Sequence, residues 1–218
     1  MDVTPAKLPE RITIAGRYVT LVPLNAGAHG DALWEATRGE ENDALWLYLF
    51  EGPFRERSGF DASLKSMEAS QDPLYYAIID SSTGKATGRA SFLRIEPKHR
   101  VIEVGAILYT PLLQRTRGAT EAMYLMMRYA FETLGNRRYE WKCNALNEPS
   151  RRAALRLGFT FEGVFRQHMI VKGENRDTAW FSILDKEWPG VKEAFEKWLA
   201  PENFTAEGVQ KRSLGDNR

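Results

Sequence analysis

A mixed α/β fold in a single domain is what the sequence predicts, on three observations. Between residues 74 and 109, three runs rich in β-branched and aromatic residues follow one another with short connections, as in an antiparallel meander. After Pro111 the apolar residues Met123, Met126, Met127, Ala130, Phe131 and Leu134 recur three and four apart, the period of a helix. From Tyr139 onward, strand-like and helix-like segments alternate. With 218 residues, 43% of them hydrophobic and 27% charged, the chain can bury a sizeable core without disulfide or metal staples.

The opening MDVTPAKLPE carries two prolines and little apolar pattern, so residues 1–15 are expected as an arm outside the core, with the domain spanning 16–200. Residues 17–24 (RYVTLVPL) alternate as a short strand should. Residues 29–38 read as a helical turn or two around Leu33 and Trp34, 42–50 as a second apolar cluster, and 58–70 as a more polar helix. Strands are expected at 74–80, 86–95 and 101–109, the first two joined by the turn sequence SSTGK. The long amphipathic helix that follows is closed by Gly135. Then come a strand at 139–144, a helix at 150–157 stopped by Gly158, and strands at 159–166 and 177–184 around a turn holding Lys172 and Gly173. A helix within 187–199, starting near Pro189, ends the domain, and the polar, Gly-punctuated residues 201–218 are expected as a tail outside the core.

Thirty Lys and Arg against twenty-nine Asp and Glu leave a net charge of +1, so no global field draws the chain to nucleic acid or an anionic membrane. No signal-peptide run occupies the first thirty residues, and no stretch approaches the roughly 20 apolar residues of a membrane helix. A lone cysteine, Cys143, excludes an intramolecular disulfide and a cysteine-based zinc site, so a cytoplasmic protein is expected. The histidines His29, His99 and His168 lack metal-ligand spacing, and no metal is expected.

Two stretches carry candidate chemistry. Gln114, Arg115, Thr116 and Arg117, then Gly118, Ala119 and Thr120, lie where a strong helix starts, and free backbone N–H groups at the positive end of a helix dipole bind phosphate. A plain capped helix, with Thr120 as N-cap and Glu121 in the first turn, would use the same residues. In NEPSRRAALRLGF, Asn147 and Ser150 stand three apart at a second helix start; they either cap it or face a ligand. Arg151, Arg152 and Arg156 read as a solvated basic face.

Together these stretches resemble the GNAT superfamily of acyl-CoA-dependent N-acyltransferases, in its ribosomal-protein N-terminal acetyltransferase (RimJ/RimL-like) branch. The resemblance runs from about Gly16 to Trp188 and rests on IEVGAILY, QRTRGATEAM and NEPSRRAALRLGFTFEG in that order and spacing. The family's loop reads Gln or Arg, two residues, Gly, one residue, then Gly or Ala. Gln114 and Ala119 match, whereas Arg117 stands where the first Gly is usual. Arg117 is therefore expected to sit in a reshaped loop, with Gly118 taking the special backbone conformation. Thr120, Glu121 and Ala122 reproduce the family's Thr-Glu-Ala helix start.

The resemblance implies a GNAT-type domain: a mixed, mostly antiparallel sheet flanked by helices and split between the strands at 101–109 and 139–144, with acetyl-CoA in the opening as co-substrate. It implies a pyrophosphate on residues 114–120, a pantetheine arm beside Ile107 and Leu108, and a backbone N–H near Leu108 on the thioester carbonyl. It also implies a pantetheine amide at Asn147, Glu103 as base directly or through water, and Ser150 as hydrogen-bond donor to the departing thiolate. Each has a plain structural alternative: Glu103 as a strand-pairing glutamate, Ser150 as a helix-start serine, Asn147 as a cap. Cys143 reads as a small core residue.

For the acceptor, Trp46, Tyr48, Phe50 and Phe54 form an aromatic-rich patch, and His168 stands near the late hairpin; core packing would account equally for most of these. No acidic cluster calls for a polycation. The leading reading is direct acetyl transfer to a primary amine, of a protein N-terminus or of a small metabolite or antibiotic. A catalytically silent CoA sensor, and an acyltransferase using a longer acyl-CoA or an aminoacyl donor, remain open, as does a monomer or a dimer.

Overall fold

In the computed structural model, which describes residues 3–217, the expected meander is the backbone of the sheet. β2 (Val19–Pro23), β3 (Leu74–Asp80), β4 (Ala86–Glu96) and β5 (Val101–Tyr109) pair antiparallel in sequence order, and β1 (Ile14–Ala15) extends the edge beside β2. Beyond β5 lie β6 (Arg138–Asn144), parallel to it, then β8 (Glu174–Leu184) and the edge strand β7 (Thr160–Val171), both antiparallel pairings. The one parallel joint needs a crossover, and the long helix supplies it.

Period two sorts the strand side chains between two cores. Leu74, Tyr76 and Ile78 of β3 join one cluster with α3 (Arg117–Arg128), a π-turn (Tyr129–Thr133), α4 (Glu148–Leu157) and α5 (Trp188–Leu199). Tyr75 and Ala77 face the other way, toward α1 (Ala26–Thr37), a 3₁₀ turn (Glu40–Trp46) and α2 (Arg57–Ala69). Three of the helices, α1, α3 and α4, start where a side chain satisfies a first-turn N–H: Asn25 accepts from Ala28, Thr116 from Ala119 and Asn147 from Ser150. Gly158 closes α4 at φ 101°, a conformation that suits glycine.

Two expectations about packing are corrected. α3, expected as an amphipathic helix, is covered on both sides: residues 118–127 are all buried, because α5 and the segment after it cover the side turned from the sheet. The segments expected as loose arms supply part of that cover. Ile14, Phe204 and Leu214 belong to the core, Lys7 N–H bonds the Leu134 carbonyl at 2.8 Å, and Glu10 N–H bonds the Tyr129 hydroxyl at 3.1 Å. Apolar residues too sparse to show a period still fill gaps, each large one worth roughly 1.5–3 kcal/mol when buried. Met1, Asp2 and Arg218, parts of the same expectation, lie outside the described residues.

The sheet opens where the sequence marked it. β5 and β6 pair only from Val101↔Arg138 to Val104↔Trp141. Past that point β5 carries one extra residue against β4, since Ser91 faces Gly105 while Arg89 faces Leu108, and Ala106 sits at φ 48°. Such a bulge bends its strand. The bend is held by side chains of β4: Ser91 Oγ donates to the Gly105 carbonyl at 3.0 Å and Arg89 Nη1 to the Ala106 carbonyl at 2.7 Å.

Candidate active site

The loop from β5 into α3 forms one end of the opening. Thr116, not Thr120, is the N-cap, its Oγ1 accepting from Ala119 N–H at 3.1 Å and donating to the Leu113 carbonyl at 2.7 Å. α3 therefore starts at Arg117, and Gly118, Ala119 and Thr120 form its first turn. The special backbone conformation falls on Arg115, at φ 62°, and neither on Arg117 nor on Gly118. Gly118 is required for another reason: a Cβ there would stand 2.7 Å from Val19 Cγ1, so its absence lets α3 lie against β2. Arg117 is clamped between two rings, its guanidinium carbon 4.7 Å from the centre of Tyr18 and 4.8 Å from that of Phe204.

First-turn N–H groups have no acceptor inside their own helix; here Thr116 takes that of Ala119, and beside the buried first turn Gln114, Arg115 and Thr116 are exposed. Arg115, Thr116, Arg117 and Arg156, with Trp198, Phe204, Gly208, Gln210 and residues 213–215, line a groove of about 710 Å³ next to that turn. Arg156, exposed as expected, also donates to Thr120 Oγ1 and lies over Trp198. Glu121 has an equally specific task, its buried carboxylate accepting from the backbone N–H groups of Arg17, Tyr18 and Val19 at 2.9, 2.6 and 2.9 Å. The Thr-Glu-Ala start thus ties α3 to β2 and to α4.

Across the opening stands the start of α4. Asn147 spends its carbonyl oxygen as the cap, leaving its amide NH₂ for any ligand. Ser150 Oγ accepts from Trp141 Nε1 at 2.9 Å, which fixes one lone pair and turns the hydroxyl proton elsewhere. Cys143, 5% exposed, is a core residue whose thiol is pushed up by burial, with Ser150 acting against that shift. On the bent part of β5, Ile107 is half-buried while the Leu108 side chain is committed to the second core. Only its backbone remains for a ligand.

Glu103 lies beside the opening, on the sheet face opposite α3, and is 5% exposed. Its Oε2 meets Lys142 Nζ at 2.8 Å and Arg94 Nε at 3.1 Å, and Lys142 also bridges to Glu140 at 2.6 Å. Glu140 in turn holds Arg138, which pairs with Glu162. Burial pushes the Glu103 carboxyl above the ordinary range, against the pull of Lys142 and Arg94. A carboxylate raised in this way is a better proton acceptor than a free one at neutral pH.

The aromatic patch divides. Trp46, 2% exposed, is a packing residue of the second core, so the expectation that its ring lines an acceptor pocket is corrected; Phe54, half-buried and edge-on to Trp46 and Phe60, lines a groove with Trp34, Arg38 and Arg55. Tyr48 and Phe50 belong to a strap across the mouth: Tyr48 donates to the Leu146 carbonyl at 3.1 Å, Lys172 donates to the Trp46 carbonyl at 2.8 Å, and Arg176 lies 4.9 Å from the Phe50 ring centre. His168 bonds Thr178 Oγ1 at 2.9 Å; partial burial first, then Arg94, Arg176 and Lys142, hold its imidazole below its ordinary pKa. Lys142, Arg94, Arg176 and Trp180 were not singled out in the sequence. The alternation in RYEWKCN was a signal for Lys142 alone, since it puts charges on alternate positions of a mid-sheet strand; Arg94, Arg176 and Trp180 had none. Among the described residues, no group of three or more His, Cys, Asp or Glu is placed to hold a metal, and no helix is long and apolar enough to cross a membrane.

This arrangement, a sheet splayed at one parallel joint between two capped helix starts, has relatives. The acetyltransferase (GNAT) domain family matches residues 20–160, and the chain belongs to that family of acetyltransferases. It is similar over 98% of its length, at 52% identity and a TM-score of 0.96, to the crystal structure of a GCN5-related N-acetyltransferase from Brucella melitensis, covering 97% of that chain. It is 34% identical over 47% of its length to the uncharacterized N-acetyltransferase YoaA of Bacillus subtilis. It is 37% identical over 34% of its length to a protein of the same organism provisionally named ribosomal N-acetyltransferase YdaF. The matched segments span 57% and 40% of those two curated relatives.

Proposed function

We propose that this chain transfers an acetyl group from acetyl-CoA to a primary amine by direct attack while both are bound. The observation that carries the reading is the splayed β5/β6 joint, with a phosphate-competent helix start at one end and Glu103 and Ser150 on either side. Acetyl-CoA supplies the activated acyl group; the protein supplies positions. The first turn of α3, with Arg115 and the capped loop, holds the pyrophosphate, and the unpaired edge of β5 near Ile107 and Leu108 lines up the pantetheine arm and offers an N–H to the carbonyl oxygen. A fixed donor in a dry cleft favours charge developing there. Glu103 takes the ammonium proton, directly or through water, and Ser150, its lone pair held by Trp141, donates to the leaving sulfur.

The RimJ/RimL-like branch rests on Thr120-Glu121-Ala122, on the block from Asn147, and on the name YdaF carries. A cytoplasmic enzyme, monomer or dimer, with no metal, fits this reading. The test is thiol release from acetyl-CoA across a panel of primary amines, beside calorimetry with CoA and with pantetheine. Amine-dependent release and much tighter binding of CoA are expected. CoA binding without release for any amine is the behaviour of a sensor and overturns the enzyme reading; equal affinity for CoA and pantetheine overturns the pyrophosphate assignment.

A further inference from the structure

We infer that Arg176 receives a carboxylate of the acceptor, so that the amine acetylated is that of an amino acid or another amino-carboxylate. The inference rests on the acetyl-transfer reading for its place in the reaction, and on the following geometry for its chemistry.

Arg176 lies on β8, on the sheet face that carries Glu103, and is 8% exposed. Among the described residues its guanidinium has no carboxylate or carbonyl partner, and its Nε is buried with none. Its neighbours on this face are paired: Arg94 and Lys142 with Glu103, Lys142 and Arg138 with Glu140, and Arg89 with Glu51. A buried cation without a paired carboxylate is disfavoured, and the nearby Glu103 is already paired with Arg94 and Lys142, so this one is arranged for a group that arrives from outside. Four residues on and on the same face, Trp180 Nε1 is also buried without a partner, while Lys142 Nζ sits 3.9 Å from the centre of its ring. Arg176 Nε and Trp180 Nε1 are thus two unpaired buried donors on one face of β8, while Tyr139 Oη, also unpaired, lies in the core on the other face; the two donors would flank a recess complementary to an oxygen acceptor. The recess is roofed by Phe50 of the strap, and Glu103 is near enough to act on the Arg176 charge. A planar guanidinium matches a carboxylate with two parallel hydrogen bonds. The acid group of the acceptor would anchor on Arg176 while its amine faces Glu103.

Two measurements test this. The first compares KM for L-α-amino acids, β-alanine and γ-aminobutyrate with KM for their amides and for the matching amines without the carboxylate. The second is calorimetry of N-acetyl-amino acids, against their amides, on the CoA-bound protein. Acid-bearing ligands are expected to be preferred by roughly 10- to 100-fold, the range of a hydrogen bond to a charged group. Arg176→Gln should abolish the preference in both measurements, and Arg176→Lys should restore part of it, with KM for acetyl-CoA unchanged. Because the substitution removes an unpaired buried charge, the melting temperature should not fall. Equal handling of acid and amide by the unaltered protein overturns the proposal, as does a preference that survives Arg176→Gln. Arg176-dependent binding of N-acetyl acids without thiol release from any amine would keep the recess and sink the acetyl-transfer reading. Amine turnover with no acid preference would do the reverse.

Discussion

The two ends of the opening are built by opposite means. The proposed cofactor end centres on one short stretch, residues 109–120, whose capped helix start presents backbone N–H groups, with Arg156, Trp198, Phe204 and Leu214 walling the groove beside it. The acceptor end is assembled from single side chains of β4, β5, β6 and β8, brought together by pairing across the sheet and roofed by a strap from the other side of the molecule. Backbone sites depend on local chain geometry, so their determinants are contiguous; side-chain sites of this sort depend on register, where each strand contributes every second residue. Evolution can therefore retune the acceptor end one side chain at a time without disturbing the cofactor end.

If that division holds, substitutions at the acceptor end should change chemistry more than stability, and those at the helix start the reverse. The largest effect expected is at Glu103. Glu103→Gln should lower turnover about 10²–10⁴-fold with CoA affinity intact, the range for a general base acting alone. Lys142→Gln sharpens the test: Lys142 favours the carboxylate, so its loss raises the Glu103 pKa further and moves the acid limb of kcat/KM to higher pH. A limb that does not move would assign proton removal to another group. His168, whose imidazole burial and three cations hold below its ordinary pKa, is the first candidate.

Ser150→Ala straddles the two ends and should show both signatures. Turnover should fall more than acetyl-CoA binding, because the interaction with sulfur strengthens only as the bond breaks. Stability should fall by about 1–3 kcal/mol as Trp141 Nε1 loses its acceptor. Unchanged turnover with lowered melting temperature would reduce Ser150 to a structural residue. The smallest effect on chemistry is expected at Gly118. Gly118→Ala forces a methyl group against Val19 Cγ1 and should cost about 1–3 kcal/mol of stability, with weaker CoA binding as α3 shifts, while turnover at saturating acetyl-CoA stays near that of the unaltered protein. A large drop in turnover there would erase the distinction between the ends.

The same contrast governs what could be read in advance. β3 and β5 fall on the residues their patterns marked, and α4, β6 and α5 deviate by a residue or two at their starts. At the cofactor end the stretch was legible but its details were not. Thr116 and Thr120 are both acceptable caps by type, and only the tertiary fit of Gly118 on Val19 fixes which one starts the helix. Arg115 takes the left-handed position because the loop must turn one residue before the cap, whatever residue stands there. At the acceptor end Glu103 came from the family motif, whereas Arg94 and Arg176 had no local signal at all. They matter only because β4 and β8 set them beside Glu103 from positions nine and seventy-three residues away. Trp46 shows the converse: an aromatic residue clustered with others in sequence was drawn into the core.

The clamp on Arg117 bears on how the molecule is made. Tyr18 and Phe204 grip one side chain from positions that flank almost the whole domain, and contacts of such separation form late and slowly. A nascent chain that has emerged only through α4 would already hold the meander, the splayed joint and the helix start. It would still lack Trp198, Phe204 and Leu214, which wall the groove beside that start. On the proposed reading, the capacity to hold the cofactor's pyrophosphate should then arrive in two stages during synthesis, weak once α3 docks on β2 and full only after residue 214 has left the ribosome.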